Sequence, residues 1–494
     1  MNAASPSPAR LFLPAIRWDE AHGFDASRPE IDAALELGVG GFIFFGGTAD
    51  AVAALSAELQ SRSRHPLLIG ADLERGAGQQ FVGATSLPPA AVFGALNDPA
   101  LSRRAGRVTA REARALGVNW VYAPVADLDV ERENPIVGTR AFGRDPVKVA
   151  EHVRAWIHGC REGGALACAK HFPGHGRTTT DSHLGLPQVA ASRSTLESDL
   201  TPFRAAIETD VDAVMTAHVA YPALDPSGLP ATLSAAMIGD LLRRDLGYRG
   251  LVVTDALIMK GVLEEAGEAE AAIRALEAGC DALLYPRQLE TTLQAVNGAV
   301  GSRLPETRIR DALARLEAAV ERATRPVDGP SAGGVAAAAG DAAATAPGRD
   351  DAQWALEVAI RGIHAVRGDP RCAAEVEVVV VDDDVGGPFP LDIPRTVFAD
   401  TLAAAGVTVH RVEQATGQRP VLVALFSDIR GFKGRPGVSA EARRRVDAAV
   451  SAASSVVVLF GPPRLVGDVG GPAVLCAWGG EPLMQRAAAL WLSR

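Results

Sequence analysis

The sequence predicts an α/β protein, a (β/α)8 TIM-type barrel followed by a smaller three-layer α/β sandwich. Three observations carry this expectation. Eight short apolar runs alternate with helical patterns over about 320 residues. A stretch almost without large apolar residues follows, and beyond it the β/α alternation resumes on a smaller scale.

The eight runs are Leu11–Ile16, Val39–Phe45, Pro66–Ala71, Asn119–Val125, Ala165–His171, Ala213–Val219, Gly250–Thr254 and Ala282–Tyr285. Each is nearly continuously apolar, as strands buried on both faces of a parallel sheet must be. Helix patterns such as Pro146–Gly159, Leu196–Glu208 and Gly267–Ala278 separate them. A doubly wound open sheet is the alternative arrangement of the same elements. The Ala-, Gly- and Pro-rich segment 326–351 cannot bury a face and is expected to be a linker between a barrel at 1–325 and a module at 352–494. In that module Val376–Val381, Val407–Val412, Val421–Phe426, Ser455–Phe460 and Ala473–Trp478 read as strands. Arg395–Ala405, Ala440–Ala453 and Glu481–Leu492 read as helices. Its Gly386–Gly387 pair belongs to no phosphate-cradling motif, so no nucleotide cofactor is expected.

A net charge of −10 without a dense Lys/Arg block argues against nucleic acid as a partner. With 50 glycines and only 5% aromatic residues, close backbone packing must replace bulky side chains in places. The five cysteines are scattered singly, which suits reduced thiols and offers no zinc framework. No signal-peptide pattern and no apolar run of membrane-spanning length stand out. A cytoplasmic protein with no membrane partner is the expectation.

Active sites of such barrels lie at the C-terminal ends of the strands, and uncommon polar residues gather there. Asp72 follows the third run, Asp127 and Asp129 the fourth, Lys170 and His171 end the fifth, His218 the sixth and Asp255 the seventh. Any one of them has a simpler explanation, such as a helix cap; for Asp255 this would be a cap on Ala256–Leu263. Together they converge on one mouth. Asp255 sits on a rigid strand end, where a fixed carboxylate can attack an anomeric carbon. The stretch KHFPGHGRTTTDSH, residues 170–183, cannot be helical through Pro173, Gly174 and Gly176 and should form a loop over the mouth. Near its end Asp181 and His183 lie two apart, and a carboxylate bonded to an imidazole fixes the tautomer needed for acid/base work near neutrality. A metal site built from His171, His175, His183 and Asp181 is the competing reading, but no metal-binding signature supports it.

KHFPGHG…DSH, followed by AVMTAHVAYP, PATLS and GYRGLVVTDAL, resembles glycoside hydrolase family 3, and within it the bacterial β-N-acetylglucosaminidases. The matching region runs from about Ile43 to Tyr285. The resemblance implies that Asp255 is the nucleophile and that His183 with Asp181 is the acid/base. It also implies that Lys170, His171, Arg140 (in NPIVGTRAFGRDP) and Asp72 bind the sugar. The chain departs from the usual DQEGGRVQRF motif, reading DLERGAGQQF, with Arg75 at a usual glycine and Gln80 in place of an arginine. Arg75 is open between a salt-bridge partner and a substrate contact. The C-terminal module resembles the second domain of two-domain members; its expected role is structural, and no catalytic residue is assigned to it.

The implied activity is retaining hydrolysis of terminal β-linked GlcNAc from a small carbohydrate or muropeptide, without cofactor or metal, in peptidoglycan-fragment recycling. Because a neutral imidazole does not repel an anion, phosphate is an alternative acceptor, which would make the enzyme a phosphorylase. A non-catalytic carbohydrate-binding protein is the alternative of a different class.

Overall fold

The computed structural model describes residues 7–325, 349–384, 393–429 and 431–494. The Gly386–Gly387 pair and the 326–348 part of the expected linker lie outside them.

The barrel strands are β1 (Phe12–Leu13), β2 (Ala15–Arg17), β3 (Gly41–Phe45), β4 (Leu68–Ala71), β5 (Trp120–Val121), β6 (Leu166–Phe172), β7 (Ala213–Thr216), β8 (Leu251–Val253) and β9 (Leu283–Leu284). Strands β2 to β8 pair in sequence order, all parallel. The ring closes because Ala282 bridges Val253 and β9 pairs β1 in parallel. Pro14 divides β1 from β2, which serve as one staved position. The result is the expected eight-stave barrel, with strands shorter than the apolar runs that announced them. Residues such as Val125 and Val219 lie beyond the regular ladder yet remain buried. Around the barrel the helices Pro99–Ala115 and Pro146–Glu162 pack closely together. A Cβ at Gly159 would come 1.8 Å from the Arg103 carbonyl oxygen, so only glycine allows this approach. The abundance of small residues is used here.

Two sequence expectations shift in detail. The pattern Leu196–Glu208 is two helices, Arg193–Asp199 and Thr201–Glu208, separated at Leu200 just before Pro202. The helix Arg349–Gly362 begins inside the segment read as linker, and its Asp351 is held by Arg104 and Arg111 of the barrel.

The C-terminal unit is a six-stranded sheet ordered β10 (His364–Arg367), β15 (Ala473–Cys476), β14 (Ser455–Phe460), β13 (Val421–Phe426), β11 (Glu375–Asp382), β12 (Thr408–Val412). All pairs are parallel except β10 with β15. Alternate residues of the central strands face opposite layers. Leu422, Ala424 and Phe426 join the core with Phe398, Leu402 and Met484, from the helices Val397–Ala404 and Pro482–Leu492. Val421, Val423 and Leu425 pack on the other side with Val446, from the helix Ala440–Ala452. This is the expected three-layer sandwich. The edge strand β10 was not anticipated, because its HAVR sequence is short and mostly half-buried. Among the described residues no helix is long and apolar enough to cross a membrane.

Candidate active site

The barrel mouth holds a compact charge network built from three strand ends. Asp72 and Glu74 follow β4, and Lys170 lies near the end of β6. Lys170 Nζ donates to Asp72 Oδ1 at 2.6 Å and sits 2.7 Å from Glu74 Oε1. Arg140, on the loop after β5, donates to both Glu74 oxygens at 2.8 and 2.9 Å and to the Ile136 carbonyl at 3.0 Å. Lys170 is 2% exposed, so its charge survives only because two carboxylates face it. Burial alone would lower the Lys170 ammonium, but Asp72 and Glu74 outweigh it and raise it above the usual range. Glu74 is likewise buried, and Arg140 and Lys170 hold it well below the usual carboxylate range.

Beside this network His171 directs Nδ1 to Asp127 Oδ2 at 2.7 Å, and the other Asp127 oxygen accepts the backbone N–H groups of His171 and His175 at 3.2 and 2.7 Å. Its Nε2 lies 3.5 Å from Arg140 Nη2. The His175 ring bonds Thr178 Oγ1 and Ser182 Oγ at 2.9 and 3.0 Å, so both its nitrogens are occupied. Burial pushes it down to about 4, and it is neutral at ordinary pH. His218 is also fully engaged, with Thr232 Oγ1 at 2.8 Å and the Ala256 carbonyl at 3.1 Å. It braces the turn that carries Asp255.

Asp255 follows β8 and Thr254, and its Oδ1 accepts the Ala256 N–H at 2.7 Å. It caps no helix at Ala256: the next helix, Lys260–Ala266, has Met259 at its N-cap. Burial pushes its carboxyl up, but His171, His218, the Ala256 N–H and His183 together bring it below the usual value. It is therefore ionised at neutral pH. The same balance means that Asp255, His171, His218 and His183 share one field at the mouth.

The loop after β6 carries the dyad. His183 Nδ1 meets Asp181 Oδ1 at 2.7 Å, and the His183 backbone N–H donates to the same oxygen at 2.9 Å. Among the described residues its Nε2 has no partner, and the ring is 24% exposed. Asp181 is buried, yet His183 and the Phe432 N–H hold its carboxyl below the usual range.

Thus Asp72, Arg140, Lys170, His171, Asp181, His183 and Asp255 all come to the barrel mouth. Asp129 does not serve there; Arg464 of the C-terminal unit takes it in an ion pair. Arg75 pairs with Glu481 of the C-terminal unit, the salt-bridge alternative, and Gln80 accepts the Gly46 N–H at 3.1 Å. Sequence reasoning overlooked Glu74, although its i+2 spacing from Asp72 just past a strand was a usable signal. It also overlooked Asn134, whose amide bonds the His175 carbonyl and Thr178 and whose oxygen accepts two backbone N–H groups.

Residues 26–319 match the model of the glycosyl hydrolase family 3 N-terminal domain. A beta-hexosaminidase of Alkalilimnicola ehrlichii is 42% identical over 257 residues, 50% of this chain and 73% of that protein. A beta-N-acetylglucosaminidase/beta-glucosidase of Cellulomonas fimi is 34% identical over 413 residues, 77% of this chain and 70% of that protein. The solved structure of a family 3 beta-N-acetylglucosaminidase from Paenibacillus sp. FPU-7 superposes with a TM-score of 0.87 at 29% identity, covering 100% of this chain and 97% of that one. With its barrel, its strand-end charges and more than half its length matched by the family model, the chain belongs to glycosyl hydrolase family 3.

Proposed function

We propose that this protein is a retaining β-N-acetylglucosaminidase that removes terminal β-linked GlcNAc through a covalent glycosyl-enzyme intermediate. The observation that carries the reading is an ionised, strand-held Asp255 in the same field as an imidazole whose Nδ1 is fixed by Asp181 and whose Nε2 is open. The N-acetylated sugar is supported by the relatives in Cellulomonas and Paenibacillus, whose names include beta-N-acetylglucosaminidase.

In the first step an Asp255 oxygen forms a bond to the anomeric carbon as the glycosidic C–O bond breaks. His183 Nε2–H gives its proton to the leaving oxygen. In the second step His183 takes a proton from water, whose oxygen displaces Asp255 and restores the β configuration. Lys170, His171, Arg140 and Asp72 border the mouth with donors and acceptors suited to sugar hydroxyls. The four are already bonded to one another or to Glu74 and Asp127, so a sugar meets a rigid, prepaid network. The proposed setting is turnover of small peptidoglycan fragments in the cytoplasm.

The test is a panel of aryl β-glycosides assayed with wild type and Asp255→Ala, with and without phosphate. Loss of turnover in the variant and preference for the N-acetylglucosaminide are expected. Near-wild-type rates in the variant would reject Asp255 as nucleophile. Faster turnover in phosphate with a sugar 1-phosphate product would replace water by phosphate as acceptor while keeping the same residues.

A further inference from the structure

The acid/base dyad is gripped from both parts of the molecule. On the barrel side, the Gly261 N–H donates to the Ser182 carbonyl at 3.0 Å and His175 Nε2 bonds the Ser182 hydroxyl at 3.0 Å. On the other side stands the loop after β13, residues 431–434. Its Phe432 N–H donates to Asp181 Oδ2 at 2.6 Å, the oxygen that His183 does not use. The Phe432 ring lies with its centroid 4.4 Å from that of the His183 imidazole. Gly431 faces the same ring so closely that a Cβ there would be 2.8 Å from His183 Cε1. A Cβ at Gly434 would be 3.2 Å from Leu184 Cδ1.

This loop is itself tied to strand ends of the C-terminal sheet. Lys433 Nζ is buried and donates to Asp384 Oδ1 at 3.0 Å and to the Asp428 carbonyl at 2.7 Å. Arg435 makes bonds of 2.9 Å to both Asp383 oxygens. A continuous bonded path therefore runs from Asp383 and Asp384, just past β11, through the loop to Asp181 and His183.

We propose that the Gly431–Gly434 loop is a positioning element for the acid/base: the C-terminal unit holds Asp181 by its second oxygen and fixes the plane of the His183 ring. The proposal rests on the reading of His183 as acid/base. A proton delivered from a flexible loop needs its donor held within hydrogen-bond reach of the leaving oxygen, and small misplacements cost large factors in rate. Only Gly431 leaves room for the ring, and Phe432, at φ +67°, turns its N–H toward Asp181.

The experiment compares kcat/KM of the full-length Phe432→Gly, Gly431→Ala and His183→Ala variants on aryl β-N-acetylglucosaminides of graded leaving-group acidity. Phe432→Gly keeps the N–H and tolerates the positive φ while removing the ring; Gly431→Ala drives a methyl into the imidazole. A 2,4-dinitrophenolate leaves without a proton, whereas a phenolate needs one. The expected loss for both loop variants is about 10- to 100-fold on the phenyl glycoside and under about threefold on the dinitrophenyl glycoside, with His183→Ala steeper in the same direction. Thermal midpoints identify any variant that fails to fold, in which case the other loop variant decides. If His183→Ala loses both substrates equally, the acid/base reading fails and the positioning role with it. If His183→Ala discriminates but the folded loop variants do not, the acid/base stands and the positioning role is overturned.

Discussion

Both sheets of this protein end parallel strands in aspartates, and the two sets are treated in opposite ways. Past β11, Asp383 receives Arg435, the Ser427 hydroxyl and the Ser439 N–H, while Asp384 receives Lys433 and the Asp428 N–H. Past β8, Asp255 receives one N–H from its neighbour, and among the described residues its other oxygen has no partner. A carboxylate already met by several donors offers little to a substrate. One that is ionised, rigid and unsaturated can form a new bond. The barrel mouth mixes the two kinds: Glu74 and Asp127 each take three donor contacts as supports, whereas among the described residues Asp72, which takes Lys170 alone, and Asp255 each keep an oxygen open. The difference teaches that the number of donors already spent on a carboxylate, rather than its place at a strand end, separates scaffold carboxylates from those still open to a substrate.

The largest expected effect tests that separation directly. Asp255→Asn should lower kcat by about 10⁴-fold or more while leaving the unfolding midpoint almost unchanged. Asp383→Asn should do the reverse, destabilising the fold by about 3 kcal/mol because Arg435 loses its charge partner. Turnover and denaturant unfolding of both variants are the measurements, and equal stability losses would erase the contrast.

Next in size, Glu74→Gln should cost about 3–5 kcal/mol of stability and raise KM, since Lys170 and Arg140 would then share too little negative charge in a buried site. Urea unfolding and steady-state kinetics on the same variant check both parts. A KM change without a stability change would mean that Glu74 contacts the sugar rather than supporting its neighbours.

A smaller effect is pH-dependent. Burial holds His175 down to about 4, against 6.5 for an ordinary imidazole, and His152, packed on Phe142, is also pushed down to about 4. Between those values the unfolded chain binds protons that the folded protein refuses. Stability should therefore be full above pH 6.5 and fall as pH drops toward 4, by up to about 3 kcal/mol for each residue. Unfolding free energies at pH 7 and pH 5 measure the slope, and His152→Gln should flatten it away from the mouth. An unchanged slope in that variant would assign the effect elsewhere.

The smallest effect concerns the contact between the two units. Arg75 and Glu481 pair across it, both partly exposed, so their coupling in a double-mutant cycle should be about 1 kcal/mol or less in stability. A much larger coupling appearing in kcat/KM would give Arg75 the substrate role that its geometry does not favour.

The barrel, its strand order and the gathering of Asp72, Lys170, His171 and Asp255 were legible because each rests on local patterns. Buried parallel strands must be continuously apolar, and a polar residue at a strand's C-terminal end is carried to the mouth side of the barrel. The Asp181–His183 pair was legible for the same reason: two residues apart on a glycine-broken loop, they can meet without help from the rest of the fold. What the sequence left undecided depends on groups brought together from far along the chain. Asp129 and Asp255 look alike in sequence, yet Arg464 captures the first and nothing comparable reaches the second. Arg75 found its partner in Glu481, and Asp181 found the Phe432 N–H, more than 200 residues away in each case. Sequence pattern alone placed the polar groups at the mouth. Only the tertiary structure decided which of them were spent on one another within the barrel, and which, like Asp129, Arg75 and Asp181, were met by the C-terminal unit, because a hydrogen bond or ion pair is a matter of distance in space and not along the chain.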